Sequence, residues 1–136
     1  MNTLQSLLTT FCKKYRLPEP KEDSDKNYRI DFSSQASFYL KQLNTGFYAQ
    51  SYLCPCPKEN KEEIYLELMS ANLLSQKTGK GIISIDFKGN FLLLSIAIPY
   101  EVNDKEFHEE IEEFVNYVIF WRKEIKKLIQ ESKKST

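Results

Sequence analysis

The sequence predicts an α+β fold, with elements in the order helix, three strands, helix, two strands, helix. Three observations lead there. Apolar residues recur at intervals of three and four near both ends of the chain and once in its middle, the spacing of helices with a buried stripe. Between those stretches the period falls to two, the spacing of strands with a buried face. The period-two stretches come in hairpin groups instead of alternating singly with helices, which separates an α+β sandwich from a wound parallel sheet.

The first helix is drawn by Leu4, Leu7, Leu8, Phe11 and Tyr15, and Pro18 and Pro20 end it. After the charged connection Lys21–Lys26, Tyr28, Ile30 and Phe32 alternate with Arg29 and Asp31, a strand with one buried face. Ser33-Ser34-Gln35 turns the chain into a second strand around Phe38 and Leu40, and Asn44-Thr45-Gly46 turns it into a third, Phe47–Leu53. Short turns between consecutive strands make an antiparallel meander. Cys54-Pro55-Cys56-Pro57 is expected to stop the sheet, because proline cannot donate to a ladder. Asn60 with Glu63 reads as a capping box, opening a helix to about Gln76 that Gly79 and Gly81 close. Ile82–Asp86 and Phe91–Ile98 are strands joined by the hairpin signal Lys88-Gly89-Asn90. Asn103 with Glu106 repeats the capping arrangement and opens the longest helix, to about Gln130, striped by Phe107, Ile111, Phe114, Val118, Ile125 and Leu128.

A chain of 136 residues suits one domain, 1–136, with the residues after about 130 a polar tail. With 41% hydrophobic and 28% charged residues it has the composition of a folded, soluble protein. Lys+Arg and Asp+Glu both number 19, and that balance argues against a nucleic-acid partner, which calls for a basic excess. The apolar stretch at Leu4–Phe11 is interrupted by polar residues and lacks the build of a secretory signal. The run Phe91–Ile98 is too short to span a bilayer, so no membrane insertion is expected. Three cysteines, an odd number, fit a reducing compartment, the cytoplasm.

Two segments carry more apolar surface than one core needs. In the middle helix Ile64, Leu68 and Ala71 form one stripe and Leu66, Met69 and Leu73 another. The strand Phe91–Ile98 has Phe91 and Leu93 on one side and Leu92, Leu94, Ile96 and Ile98 on the other. Part of this surface is expected to be covered by a second subunit or a partner; one thick core is the plainer explanation. The 18 aromatic residues (9 Phe, 8 Tyr, 1 Trp) include Tyr28, Phe38, Tyr39, Phe47, Tyr48 and Tyr52 on both faces of the first three strands. Such a patch suits an interface.

No catalytic constellation appears, and no enzyme, cofactor or metal is assigned. Cys54 and Cys56 are too close for a normal metal pair, and Cys12 and His108 lie far away in sequence. His108 follows Phe107 by one residue and reads as a helix-surface residue. Thr78-Gly79-Lys80-Gly81 lacks the spacing of a phosphate loop and is read as a turn. Glu109, Glu110, Glu112 and Glu113 read as a solvated helix face.

The order of elements resembles that of the class I type III secretion chaperones, the CesT/SycE-like family. Leu68-Met69-Ser70-Ala71-Asn72-Leu73-Leu74, then Thr78-Gly79, Ile85-Asp86 with Gly89-Asn90, and Phe114-Val115-Asn116-Tyr117 with Trp121 look like the family's central passage and its Phe/Trp-bearing last helix. The resemblance covers Leu4 to Leu128 and lies in the pattern more than in any one residue. It implies a cytoplasmic bacterial chaperone that holds the N-terminal region of a secreted effector or secretion regulator soluble and non-globular. It implies a homodimer, or a heterodimer with a paralogous chaperone, and a type III secretion ATPase as a separate partner. Members are commonly acidic, whereas this chain has a pI of about 6.6, which points to an unusual client or a more acidic partner subunit. On that reading Leu4, Leu8, Phe11, Phe38, Phe47 and Tyr48 are the expected client-binding residues. Leu66, Met69, Leu73, Leu92 and Leu94 are the expected dimer residues. The alternative is an α+β adaptor or regulator that binds a folded partner. An apolar cavity lined by polar groups and holding a small molecule would instead favour an enzyme or ligand-binding protein.

Overall fold

A computed structural model describes residues 3–24, 27–34, 36–74 and 81–134, the side chains of 73, 74 and 134 excepted. The elements are α1 (Leu4–Lys14), β1 (Asn27–Ser33), β2 (Ala36–Leu43), β3 (Gly46–Pro55), α2 (Lys61–Leu74), β4 (Ile82–Ile85), β5 (Phe91–Ile98) and α3 (Asp104–Lys134). All five strands join one antiparallel sheet in the order β1-β2-β3-β5-β4. The element order and fold class are those expected.

α1 starts where the Thr3 hydroxyl oxygen accepts from the Ser6 N–H at 3.1 Å. It ends before the prolines act. Arg16 turns left-handed (φ 57°), and the N–H groups of Leu17 and Arg16 bond back to the carbonyls of Cys12 and Lys13. That is the Schellman pattern, here with arginine where glycine is usual. Its stripe of Leu4, Leu7, Leu8, Phe11 and Cys12 is buried.

The two capping signals behave differently. At Asn103 the box forms, with the Glu106 N–H donating to Asn103 Oδ1 (2.8 Å) and the Asn103 N–H donating to Glu106 Oε1 (3.3 Å). At Asn60 it does not. Asn60 sits at φ 56°, and its side-chain nitrogen donates to the Ser132 carbonyl at 3.3 Å, tying the start of α2 to the end of α3. α3 runs helically to Lys134, past the expected end near Gln130.

β3 continues through Cys54 to Pro55, beyond the expected stop, because a bulge between Tyr52 and Cys54 lets the strand stay paired with β5. The Tyr52 carbonyl at that bulge accepts from Arg122 Nη2 (2.6 Å) and Nε (3.2 Å) of α3. The β4–β5 hairpin closes with Gly89 at φ 74° and Asp86 Oδ1 accepting from the N–H groups of Asn90 and Phe91. The Thr78-Gly79-Lys80 part of the expected turn lies outside the described residues.

The core sits between one face of the sheet and the helices. Phe38, Leu40, Phe47, Ala49, Leu92, Leu94, Ile96 and Ile98 come from the sheet, and Phe107, Ile111, Phe114, Val118, Trp121 and Ile125 from α3. Phe38 meets Phe114 edge-on at 5.8 Å, and Phe47 meets Phe107 at 6.2 Å. β4, at the sheet's end, is held by α2. Asn72 Nδ2 donates to the Ile83 carbonyl (2.7 Å), and Asn72 Oδ1 accepts from the Ile83 N–H (2.8 Å).

Candidate functional site

The most apolar surface lies where α2 meets the β4–β5 hairpin. α2 buries Ile64, Leu68 and Ala71, and its second stripe points outward, with Leu66 65% and Met69 66% exposed. Ile82 and Ile85 of β4, Phe91 of β5 and the fully exposed Phe87 of the hairpin lie at the same end of the sheet, Ile82 and Phe91 on its outer face. Six of the nine large hydrophobics exposed among the described residues are therefore at this end of the molecule. Exposed aliphatic and aromatic side chains in such density mark a protein-binding surface.

A second surface is the sheet face turned away from the core. Residues paired across the ladder point to the same side, so Tyr48, Gln50 and Tyr52 of β3 share this face with Ala97, Ser95 and Leu93 of β5. Tyr48 donates from its hydroxyl to Ser95 Oγ (2.9 Å) and accepts from Gln50 Nε2 (3.1 Å). Tyr39, Tyr52 and Phe91 form an edge-to-face series at 6.3 and 5.4 Å. Two hollows open on this face. One of about 460 Å³ lies beside Tyr39, Lys41 and Asn27, and one of about 640 Å³ lies beside Phe87, Phe91 and Leu93; Gln50 and Tyr52 line both. This surface combines aromatic rings with hydroxyl and amide groups, the chemistry of peptide contact.

The third feature is the outer edge of β1. Glu22 bridges to Tyr28 there, the Asp23 N–H donates to the Asn27 carbonyl (2.9 Å), and Tyr28 donates from its hydroxyl to Glu22 Oε2 (3.2 Å). The 21–23 segment thus lies along the first residues of β1.

The residues expected from the sequence divide unevenly among these surfaces. Leu4, Leu8, Phe11, Phe38 and Phe47 are all buried in the core. They belong to the packing that holds α1 and α3 on the sheet, and they present no surface to a client. Of the six expected client contacts, only Tyr48 stands on the open face, half-buried. Leu92 and Leu94 are likewise core residues, on the inner side of β5; the outward neighbours are Phe91 and Leu93. For Leu4, Leu8 and Phe11 the cause is that the apolar stripe of α1 is the face packed on the core, and for the strand residues it is parity. Periodicity separates the two faces of a strand without saying which one the helices cover. Leu66 and Met69 do lie on the surface, and the Leu73 side chain lies outside the described residues.

His108 is not a surface residue. It is buried at the α1–α3 junction, with its ring 5.4 Å from Phe11 and 6.4 Å from Tyr15. Burial, and after it Lys14, pull its pKa below the ordinary 6.5, and Nε2 has no hydrogen-bond partner among the described residues. Cys54 has its thiol pushed up to about 11, by burial first and then by Cys56, the opposite of what a nucleophile needs. Among the described residues no group of three or more His, Cys, Asp or Glu is placed to hold a metal ion. None of their helices is long and apolar enough to cross a membrane.

Residues 6–122 match the Tir chaperone protein (CesT) family. No curated protein matches the chain. Among solved structures, the ExsC–ExsE complex contains a similar chain at TM-score 0.73 and 17% identity, covering 88% of this chain and 91% of that one. The HopA1–SchA chaperone–effector complex gives TM-score 0.70 and 14% identity, covering 88% and 92%. The type III secretion chaperone SycH of Yersinia pestis, solved with a stable fragment of YscM2, gives 0.63 and 16%, covering 88% and 99%. At these identities the structural likeness is one of fold.

Proposed function

We propose, from the premise that this chain belongs to the Tir chaperone protein (CesT) family, that it is a type III secretion chaperone. It binds the N-terminal region of a secreted effector or secretion regulator and keeps that region soluble and non-globular until export. The family match over residues 6–122 is the observation that carries this reading. Similar folds solved as a chaperone–effector complex and as a secretion chaperone with a protein fragment support it.

The protein acts as a dimer in the bacterial cytoplasm and catalyses no reaction. Its subunits meet through Leu66 and Met69 of α2, whose exposure in one chain calls for a cover. An extended client segment pairs with β1 beyond the part occupied by 21–23 and reaches across the face bearing Tyr39, Tyr48 and Tyr52. Main-chain pairing is indifferent to sequence, so specificity falls to the side-chain hollows. A client that orders on binding gives up conformational entropy, which keeps the complex releasable.

The test is affinity capture from the native cells, followed by limited proteolysis of whatever co-purifies. A secreted protein protected only near its N-terminus is the expected result. A folded cytoplasmic protein, protected throughout, would replace this reading with that of an adaptor.

A further inference from the structure

α2 and α3 do not close on each other along their whole length. Between them runs a groove of about 510 Å³ whose apolar lining is Ala71, Tyr117, Phe120, Trp121 and Leu128. It continues into a smaller hollow of about 270 Å³ that shares Glu67 and Leu128 with it. Phe120 is 49% exposed and is held edge-on against the buried Trp121 at 5.3 Å. An aromatic ring fixed at the mouth of an apolar groove is preorganised to cover an incoming side chain.

The charges around this groove are one-sided. Glu67 and Glu124 line the larger part, and Glu63, Glu67 and Glu131 the smaller. No Lys or Arg among the described residues lines either. Nor does any of these four carboxylates form an ion pair among the described residues. The chain as a whole is balanced, 19 cations against 19 anions, so the groove concentrates a charge the molecule does not carry overall. It is also separate from the surface assigned to the dimer. Glu63, Glu67 and Ala71 follow one another at helical spacing along one flank of α2, while Leu66 and Met69 fall on another.

We propose that this groove binds a segment of the exported client in which one bulky apolar side chain is flanked by Lys or Arg. The inference rests on the chaperone reading and gives one of the client's contacts its chemistry. The apolar anchor fills the space beside Phe120 and Trp121, and the flanking cations meet Glu67 and Glu124. Complementary charge selects the partner and speeds its docking, while the apolar pocket sets how long it stays.

The test uses the full chain and a fluorescein-labelled peptide, Gly-Lys-Lys-Phe-Lys-Lys-Gly, beside its counterpart with Glu in place of every Lys. Fluorescence anisotropy at low salt should show the lysine peptide binding and the glutamate peptide failing to bind. The double variant Glu67→Lys/Glu124→Lys should weaken the lysine peptide by about tenfold or more. Phe120→Ser should weaken it without changing the circular dichroism spectrum. Equal binding of the two peptides, or an unchanged affinity in the double variant, overturns the proposal. So does a changed mass of the double variant in light scattering, which would make the groove a contact between copies. Native-cell capture with wild type and double variant separates this proposal from the function it rests on. Equal recovery of a secreted client by both leaves the chaperone reading standing and removes the groove. Recovery of no secreted client by either, with the lysine peptide still discriminating, removes the chaperone reading and keeps the groove as a basic-peptide site.

Discussion

Asn72 shows what a single side chain does for this fold. Its amide returns both hydrogen bonds of Ile83, at 2.7 and 2.8 Å, standing in for the backbone of a neighbouring strand. Asn72→Ala leaves an N–H and a C=O at a buried strand position unpaired, so urea unfolding should show a loss of about 2 kcal/mol. Nothing in the spacing of apolar residues signals that role, because a polar side chain bonded to a backbone eleven residues away leaves no periodic trace. Only the resemblance to a family pattern drew attention to this stretch. His108 carries the other residue-scale consequence. Its pKa is lowered in the fold from 6.5, so the unfolded chain takes up the proton first as pH falls. Stability should therefore be undiminished above pH 6.5 and decline below it until the folded pKa is passed. Thermal melts across that range should show the decline, and His108→Gln should flatten it. The sequence suggested a surface histidine because position 108 lies just beside the stripe; α1 then packs over it, a tertiary fact that the helix's own period does not contain.

At the scale of elements, the legible parts were those that periodicity and local chemistry decide. The α1 stripe, the α3 stripe and the Asn103–Glu106 cap all stand where the residues imply. The same Asn-x-x-Glu signal at Asn60 formed no box, because Asn60 took a left-handed conformation and spent its side chain on Ser132. Parity was the illegible part. Phe38, Phe47, Leu92 and Leu94 were expected on exposed faces of their strands, and those faces proved to be the covered ones. The turn from β2 to β3 leaves no room at Gly46, where an added Cβ would lie 2.5 Å from the Ile98 carbonyl oxygen. Gly46→Ala should cost about 1–3 kcal/mol in chemical denaturation, since the obstacle is backbone and has to move. In α2, Met69→Glu is the informative change. Met69 is 66% exposed in one chain, so the charge should leave the monomer folded while halving the mass in light scattering. An unchanged dimer mass would take Met69 out of the interface.

For the molecule as a whole, composition placed it among folded proteins, and the grouping of its strands into hairpins placed it among α+β folds. What it could not supply was the map of exposed apolar surface. That map depends on which side the helices choose, and it concentrates Leu66, Met69, Ile82, Ile85, Phe87 and Phe91 at one end. With equal numbers of cations and anions and a pI of about 6.6, the free chain should be least soluble near that pH. Turbidity of concentrated protein against pH should peak there and fall when a client fragment is co-expressed.

The two ends of the sheet have different valence. At β4 the groups of Ile83 are already engaged by Asn72, and at β1 the 21–23 segment bridges the first residues, Asn27 and Tyr28. Backbone groups already satisfied by a side chain offer nothing to an incoming strand. The β4 end of the sheet is thereby protected, at Ile83, from the edge-to-edge pairing through which copies of such a domain would aggregate with one another.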